Sequence, residues 1–377
     1  MIGPLVLRRT WLPLVAAIAA LLALALSYAA SAAAASQRGV GAVFTETNAA
    51  GGNEILAFKR AADGSLTQVG SVATGGLGTG GGLGSQGAVA LGQGGSLLFA
   101  VNAGSDEISS LRKQPGGLVL VDTVPSGGDT PISVTVHGSV LYVLNAGSPG
   151  NITGFRVAPD GSLEEIPSST RSLSAAMVDP AQVSFNPSGD VLVVTEKATN
   201  LIDTYTVGQD GLATGPTVHA SSGMTPFGFA FGLRGELIVS EAFGGTASAL
   251  SSYDVGDDGS LAVISPSVFA PGQTAACWVV VTNNGRFAYT TNTGSGTVSS
   301  YTIGNNGSLT LADAVAATTG GAPIDAALTR DNRYLYVLNS ALNTIDAFSV
   351  AANGALVSLP GAGVSGLPAG TTGLVSQ

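Results

Sequence analysis

Charge, cysteine and histidine are all scarce in this sequence. Only 10% of its 377 residues are Asp, Glu, Lys or Arg, where folded chains usually carry about 25%. The single cysteine, Cys277, excludes a disulfide framework and any zinc site built from cysteines. Two histidines, His137 and His219, leave little imidazole for acid–base chemistry. The chain is nevertheless not of the disordered kind, because 45% of it is hydrophobic, ample to bury a core. Glycine is plentiful, 54 residues, and lacks the three-residue period of collagen. A large, weakly charged β-rich protein remains.

The net charge is −10. Arg8 and Arg9 lie in the first 36 residues, which hold no acid; without them 14 basic residues become 12, against 24 acidic. Lys and Arg are scattered singly in an acidic chain, which argues against nucleic acid as a partner. Anionic membranes and polyphosphorylated substrates are poor matches for the same reason. Residues 1–36 read as a cleaved signal peptide: the arginine pair, an uncharged run from Trp11 to Ala35, and the small residues Ser31 to Ala35. The expected protein is exported, periplasmic, extracellular or cell-surface, free of stable membrane association once cleaved, and a monomer. An uncleaved anchor is the competing reading, since 25 uncharged residues can span a bilayer.

A repeat organises residues 37–377. Its unit is a turn, a short apolar strand ending in Asn or Glu, a polar loop, a strand carrying a large side chain, then a Gly turn and a leucine. The strand-end residue falls at Glu46, Asn102, Asn145, Glu196, Glu241, Asn292 and Asn339. The large side chain falls at Phe58, Leu111, Phe155, Tyr205, Tyr253, Tyr301 and Phe348. The leucine falls at Leu66, Leu118, Leu163, Leu212, Leu261, Leu309 and Leu356. Four strand-length apolar runs per unit predict an all-β, seven-bladed β-propeller of four-stranded antiparallel blades. The first unit starts at its second strand. Thr371 to Gln377 resembles the inner strands headed by Pro131, Pro180, Pro226 and Pro323, and is expected to close the ring as the innermost strand of the first blade.

Strand order then sorts the loops onto two faces. Tight hairpins such as Asp63-Gly64, Asp160-Gly161 and Asp258-Gly259 occupy one. The other carries longer, varied loops and the crossings between blades, where binding sites gather on rigid scaffolds. There Glu196 and Glu241 stand where other blades have Asn. They either cap loop amides or form a carboxylate cluster with Glu46, able to act in acid–base catalysis or to hold a divalent cation such as calcium. His219 lies in the crossing between those two blades and is a candidate base; Arg171, in the preceding crossing, is a candidate for polarising a carbonyl. No other cofactor is expected. Gly76-Leu77-Gly78-Thr79-Gly80-Gly81 has the spacing of a dinucleotide loop, but no helix follows it, so a flexible crossing is expected. Cys277 reads as a buried small hydrophobe, and the third-strand tyrosines as core.

The segments DGSL, NGRFAYTTN, NPSGDVLVVTE and DNRYLYVLN resemble those of the lactonase-type seven-bladed propellers, the family of propeller 6-phosphogluconolactonases and carboxymuconate cyclases. The resemblance implies a lactone hydrolase or cyclase with His, Arg and Glu at the pore mouth, acting on a small-molecule lactone. Glu196 and Glu241 carry over at the strand-end position. The positions beside the inner-strand prolines, where the family's histidine is expected, hold Ile132, Ala181, Phe227 and Ile324, and their counterparts Gly87 and Cys277 are not histidine either. No basic cluster for a phosphorylated sugar is visible. Two functions follow as expectations: an exported lactone hydrolase or cyclase using Glu196, Glu241, His219 and Arg171, or a non-catalytic propeller binding a ligand, glycan or protein through the same face.

Overall fold

The computed structural model describes residues 41–377, so the leader read over residues 1–36 lies outside the described residues. Seven antiparallel sheets form the ring, each hydrogen-bonded in chain order from its inner to its outer strand. Blade 1 is the exception. Its second, third and outer strands are Gly41–Glu46, Glu54–Arg60 and Leu66–Ala73, and its inner strand is Thr372–Ser376 from the other end of the sequence. Val43 pairs with Ser376, Phe44 with Val375 and Glu46 with Thr372, the closure expected from the sequence. In blades 3 and 7 the outer strand is split in two, Leu163–Glu165 with Arg171–Ser172 and Leu356–Ser358 with Val364–Ser365. Among the described residues no helix is long and apolar enough to cross a membrane.

The core lies between blades because each strand presents alternate residues to two neighbours. Phe58, Tyr205, Tyr253 and Tyr301 are at most 1% exposed, as core residues should be. The blade 7–1 junction is typical: Phe58 and Leu374 of blade 1 pack with Tyr334, Tyr336 and Leu338 of blade 7.

Glycine turns have a second use here. Beneath six of the seven junctions, a hydroxyl from one blade donates to the glycine carbonyl in the third-to-outer turn of the next. Ser110 reaches Gly161, Thr204 reaches Gly259 and Ser252 reaches Gly307 at 2.6–2.8 Å. Tyr142 does the same to Gly211, Tyr289 to Gly354 and Tyr336 to Gly64, at 2.7–2.8 Å. The turn can offer that carbonyl because Gly161, for example, adopts φ of 90°, open to glycine and strained for other residues. Six junctions are stapled in this way. Arg112 and Arg156 add to these contacts by donating to carbonyls in the turn of the following blade, at Pro159 and Asp160 and at Asp210.

Candidate functional site

The glycine-rich crossing from blade 1 to blade 2 is pinned, which corrects the expectation of a flexible loop. Gly78 and Gly80 donate to the carbonyls of Ala49 and Asn48. A Cβ on Gly78 would stand 2.0 Å from the carbonyl carbon of Asn48, so only glycine fits there. The segment then enters the central channel. The side-chain amide of Gln86 exchanges two hydrogen bonds with backbone Val279 of blade 6, at 2.9 and 3.0 Å. Trp278 Nε1 donates to Ser85 O at 2.9 Å, and its ring lies 5.1 Å from that of Phe227. Blades 2 and 6 are not neighbours in the ring, so these bonds bridge the channel. Cys277, buried beside Trp278, has its thiol pushed up to about 11 by burial.

The strand-end ring is sealed. All seven of its residues are 0% exposed. Glu196 Oε2 accepts from the hydroxyls of Ser174 and Thr199 at 2.5 and 2.6 Å, and Oε1 from the Ser174 amide at 3.0 Å. The same amide also reaches Asp203 Oδ2 at 2.9 Å. Glu196 thereby ties the blade 3–4 crossing to the loop that follows its own strand. Burial and the neighbouring Glu196 carboxylate push the Asp203 carboxyl up to about 8, so the pair retains a proton at neutral pH. Burial raises the Glu241 carboxyl too. Glu241 packs against Gly223, where a Cβ would lie 2.3 Å from Oε2. Glu46 is raised by complete burial, with Asn53 donating to Oε2 at 3.4 Å.

The other expected site residues are dispersed. His219 sits on the outer strand Ala213–Ala220 of blade 4, its Nε2 3.1 Å from Thr204 Oγ1 and 3.0 Å from Gly259 O in a hairpin of blade 5. No bond joins it to Glu196 or Glu241. Arg171 donates to the carbonyls of Ser168 and Thr170 at 2.8 Å, so its guanidinium serves the local turn. Among the described residues no group of three His, Cys, Asp or Glu side chains is gathered as a metal would require.

A different pair reaches the surface on the loop face. Lys197, the residue after Glu196, places Nζ 3.1 Å from Asp179 Oδ1, 2.7 Å from Gly84 O and 4.8 Å from the centroid of Phe227. Its side chain is 11% exposed and that of Asp179 67%. Asp179 is held by the repeat itself. Residues before an inner strand take left-handed backbone, as at Thr130, Asp179, Thr225, Ala275 and Ala322. Each carbonyl then accepts from the residue after a strand end; Lys197 N donates to Asp179 O at 3.0 Å. Asp179 lines a 340 Å³ cavity between blades 3 and 4, with Ser148, Gly150, Met177, Val178 and Ala198. That volume lies within the usual range for small-molecule pockets. The sequence reading missed both residues. The available signal was Lys197 itself, the one basic side chain following a strand end among seven blades.

The sealed carboxyls predict an inverted pH dependence. Their folded pKa values exceed the unfolded values near 4, so the native state holds more protons than the unfolded state above about pH 4, for Asp203 up to about pH 8. Their contribution is complete at low pH and is lost as pH rises through that window. Below about pH 4 the sign reverses, because Asp63, Asp160, Asp190 and Asp258 accept serine hydrogen bonds that lower their pKa values. Tm should therefore be about 5 °C or more higher at pH 5 than at pH 8.5, and Asp203→Asn should flatten that difference. An equal or higher Tm at pH 8.5 would contradict the assignment.

Fold and repeat define the class, a seven-bladed propeller whose ring closes through its terminal strands. The model of the family "Lactonase, 7-bladed beta-propeller" matches residues 43–179 and 90–364, and the chain belongs to that family. Among solved structures, a protein from Lactobacillus plantarum is 18% identical with a TM-score of 0.73, covering 89% of this chain and 99% of its own. A proposed 6-phosphogluconolactonase from Bacteroides fragilis is 18% identical with a TM-score of 0.71, over 91% and 99% of the two chains. The periplasmic gluconolactonase of Pseudomonas aeruginosa is 18% identical with a TM-score of 0.70, over 88% and 98%. At such identities the likeness is one of fold. No curated protein matches the sequence.

Proposed function

We propose that this protein is an exported lactonase that opens a small, unphosphorylated lactone ring in the loop-face cavity between blades 3 and 4. The observation that carries the reading is a solvent-reaching carboxylate, Asp179, set 3.1 Å from a nearly buried ammonium, Lys197, at the edge of a small-molecule-sized cavity. Asp179 takes a proton from water as the water oxygen bonds to the lactone carbonyl carbon. Lys197 has donated two of its three N–H bonds, to Asp179 and Gly84, and keeps one for the carbonyl oxygen as that oxygen becomes anionic. The ring C–O bond then breaks, and Asp179 returns the proton to the departing alkoxide.

Glu196 is a positioning residue in this scheme, since it fastens both the crossing that carries Asp179 and the loop that carries Lys197. Arg171 steadies the start of the same crossing, while Glu241 and His219 lie at the blade 4–5 junction, outside the cavity lining. The preference for an unphosphorylated ring follows from the scarcity of positive charge at the cavity: its lining contains no Lys or Arg, and the adjacent Lys197 is already paired with Asp179. Export rests on the charge pattern of residues 1–36 and agrees with the periplasmic location of the Pseudomonas aeruginosa protein of similar fold.

A second reading, a non-catalytic propeller that binds its ligand on this face, is favoured by one observation: the central channel is bridged by Gln86 and Trp278. A panel of five- and six-membered lactones, phosphorylated and not, separates the two. Proton release above the uncatalysed rate for the neutral rings is expected. Rates equal to the uncatalysed ones across the panel would exclude hydrolysis and leave the binding reading.

A further inference from the structure

The seventh blade junction is built differently from the other six. Blade 1 has Val43 where blades 3, 6 and 7 place the stapling tyrosine on the second strand, and Ala57 where blades 2, 4 and 5 place the stapling Ser or Thr on the third. Neither side chain can donate. On the other side, the third-to-outer turn of blade 2 is Gln114-Pro115-Gly116-Gly117 in place of the Asp-Gly or Asn-Gly turn of other blades. Among the described residues no staple joins blades 1 and 2.

The unstapled junction is open. A cavity of 690 Å³, twice that beside Asp179, lies between the two blades. Its floor is apolar, with Phe44, Ala57, Phe58 and Leu118 among its lining residues, and the missing donor position, Ala57, is part of it. Val69 stands at its edge, 62% exposed, where a bulge opposite Ala57 and Phe58 turns it outward. The charged residues lining the cavity are Lys59 and Lys113, and no Asp or Glu lines it. Two of the chain's three lysines thus meet at one cleft in a protein of net charge −10. Lys113 Nζ lies 2.8 Å from a neutral group, the side-chain amide of Gln377, which an anion can displace.

We infer that the cleft between blades 1 and 2 is a binding site for a small amphipathic carboxylate, its apolar body on Phe44, Ala57 and Leu118 and its carboxylate between Lys59 and Lys113. The site lies on the hairpin side of the ring, separate from the Asp179 cavity, and does not depend on hydrolysis there. Because Ala42, which lines the cleft, pairs with Gln377, an occupant also bears on the ring-closing strand.

Calorimetric titration with octanoate tests this, with octanol as the uncharged control. Saturable octanoate binding is expected, weaker for octanol. The double variant Lys59→Gln/Lys113→Gln should weaken octanoate about tenfold and leave octanol unchanged. Ala57→Phe, which fills the cleft, should abolish binding of both, while Asp179→Asn should leave both intact. The inference is overturned if octanoate gives no saturable heat, if octanol binds as tightly, if the lysine variant binds octanoate as the parent does, or if Asp179→Asn removes binding. The lysine variant keeps the test decisive should Ala57→Phe fail to fold.

Discussion

Deleting residues 371–377 is expected to leave a protein that either fails to fold or melts about 10 °C or more below the parent. The segment supplies the whole inner strand of blade 1. Leu374, 5% exposed, packs with Phe58, Tyr336 and Leu338, and its burial alone is worth about 2 kcal/mol. Thr45 Oγ1 donates to Thr372 O at 3.1 Å, and Ala42 and Gln377 exchange backbone bonds at 2.9 and 3.2 Å. Their loss would uncover Val43 and Phe44, which are at most 4% exposed, and leave the Gly41–Glu46 strand as an unpaired edge in the middle of the ring. Differential scanning calorimetry of the truncated chain gives the answer; an unchanged Tm would show that the ring does not depend on this closure.

Asp179→Asn is expected to lower lactone hydrolysis about 100-fold or more, the usual loss when a general base becomes an amide. The substitution is nearly isosteric and falls at a 67% exposed side chain, so stability should change little. Asparagine also tolerates the left-handed backbone that Asp179 adopts, φ 48°, better than most residues. Lys197→Met should be less selective. It removes the charge proposed to face the carbonyl oxygen and also the tie to Gly84 that anchors the channel-bridging segment. A rate for Asp179→Asn within twofold of the parent would move the chemistry elsewhere on the ring.

Three markers per unit made the blades and their closure readable in the sequence, because every blade must end its second strand, fill the same junction and turn at the same place. Function was less readable for the same reason. Glu196 and Glu241 departed from Asn and so drew notice, yet departure in a repeat does not say whether a side chain faces solvent. Both are sealed, and their burial depends on residues from other units, Ser174 in the crossing and Gly223 in the next. His219 reads from the sequence as part of a crossing; it belongs to an outer strand because that strand runs to Ala220, which carries the ring under the blade 5 hairpin. The glycine-rich crossing reads as flexible from composition, which does not reveal that Gly78 and Gly80 lie against backbone. The pairing of Asp179 with Lys197 spans a crossing and a loop, and nothing in one unit points to the other. The open blade 1–2 junction, by contrast, is written in the sequence as two missing hydroxyls, Val43 and Ala57, once the staples elsewhere show what belongs there.

The most direct test of the proposed site is a crystal structure of the protein with a hydrolysis-resistant lactam analogue of an accepted lactone. The ligand is expected in the cavity between blades 3 and 4, its carbonyl oxygen within hydrogen-bonding distance of Lys197 Nζ and its carbonyl carbon facing Asp179. Ligand bound against Glu241 or His219, with the Asp179 cavity empty, would contradict the account.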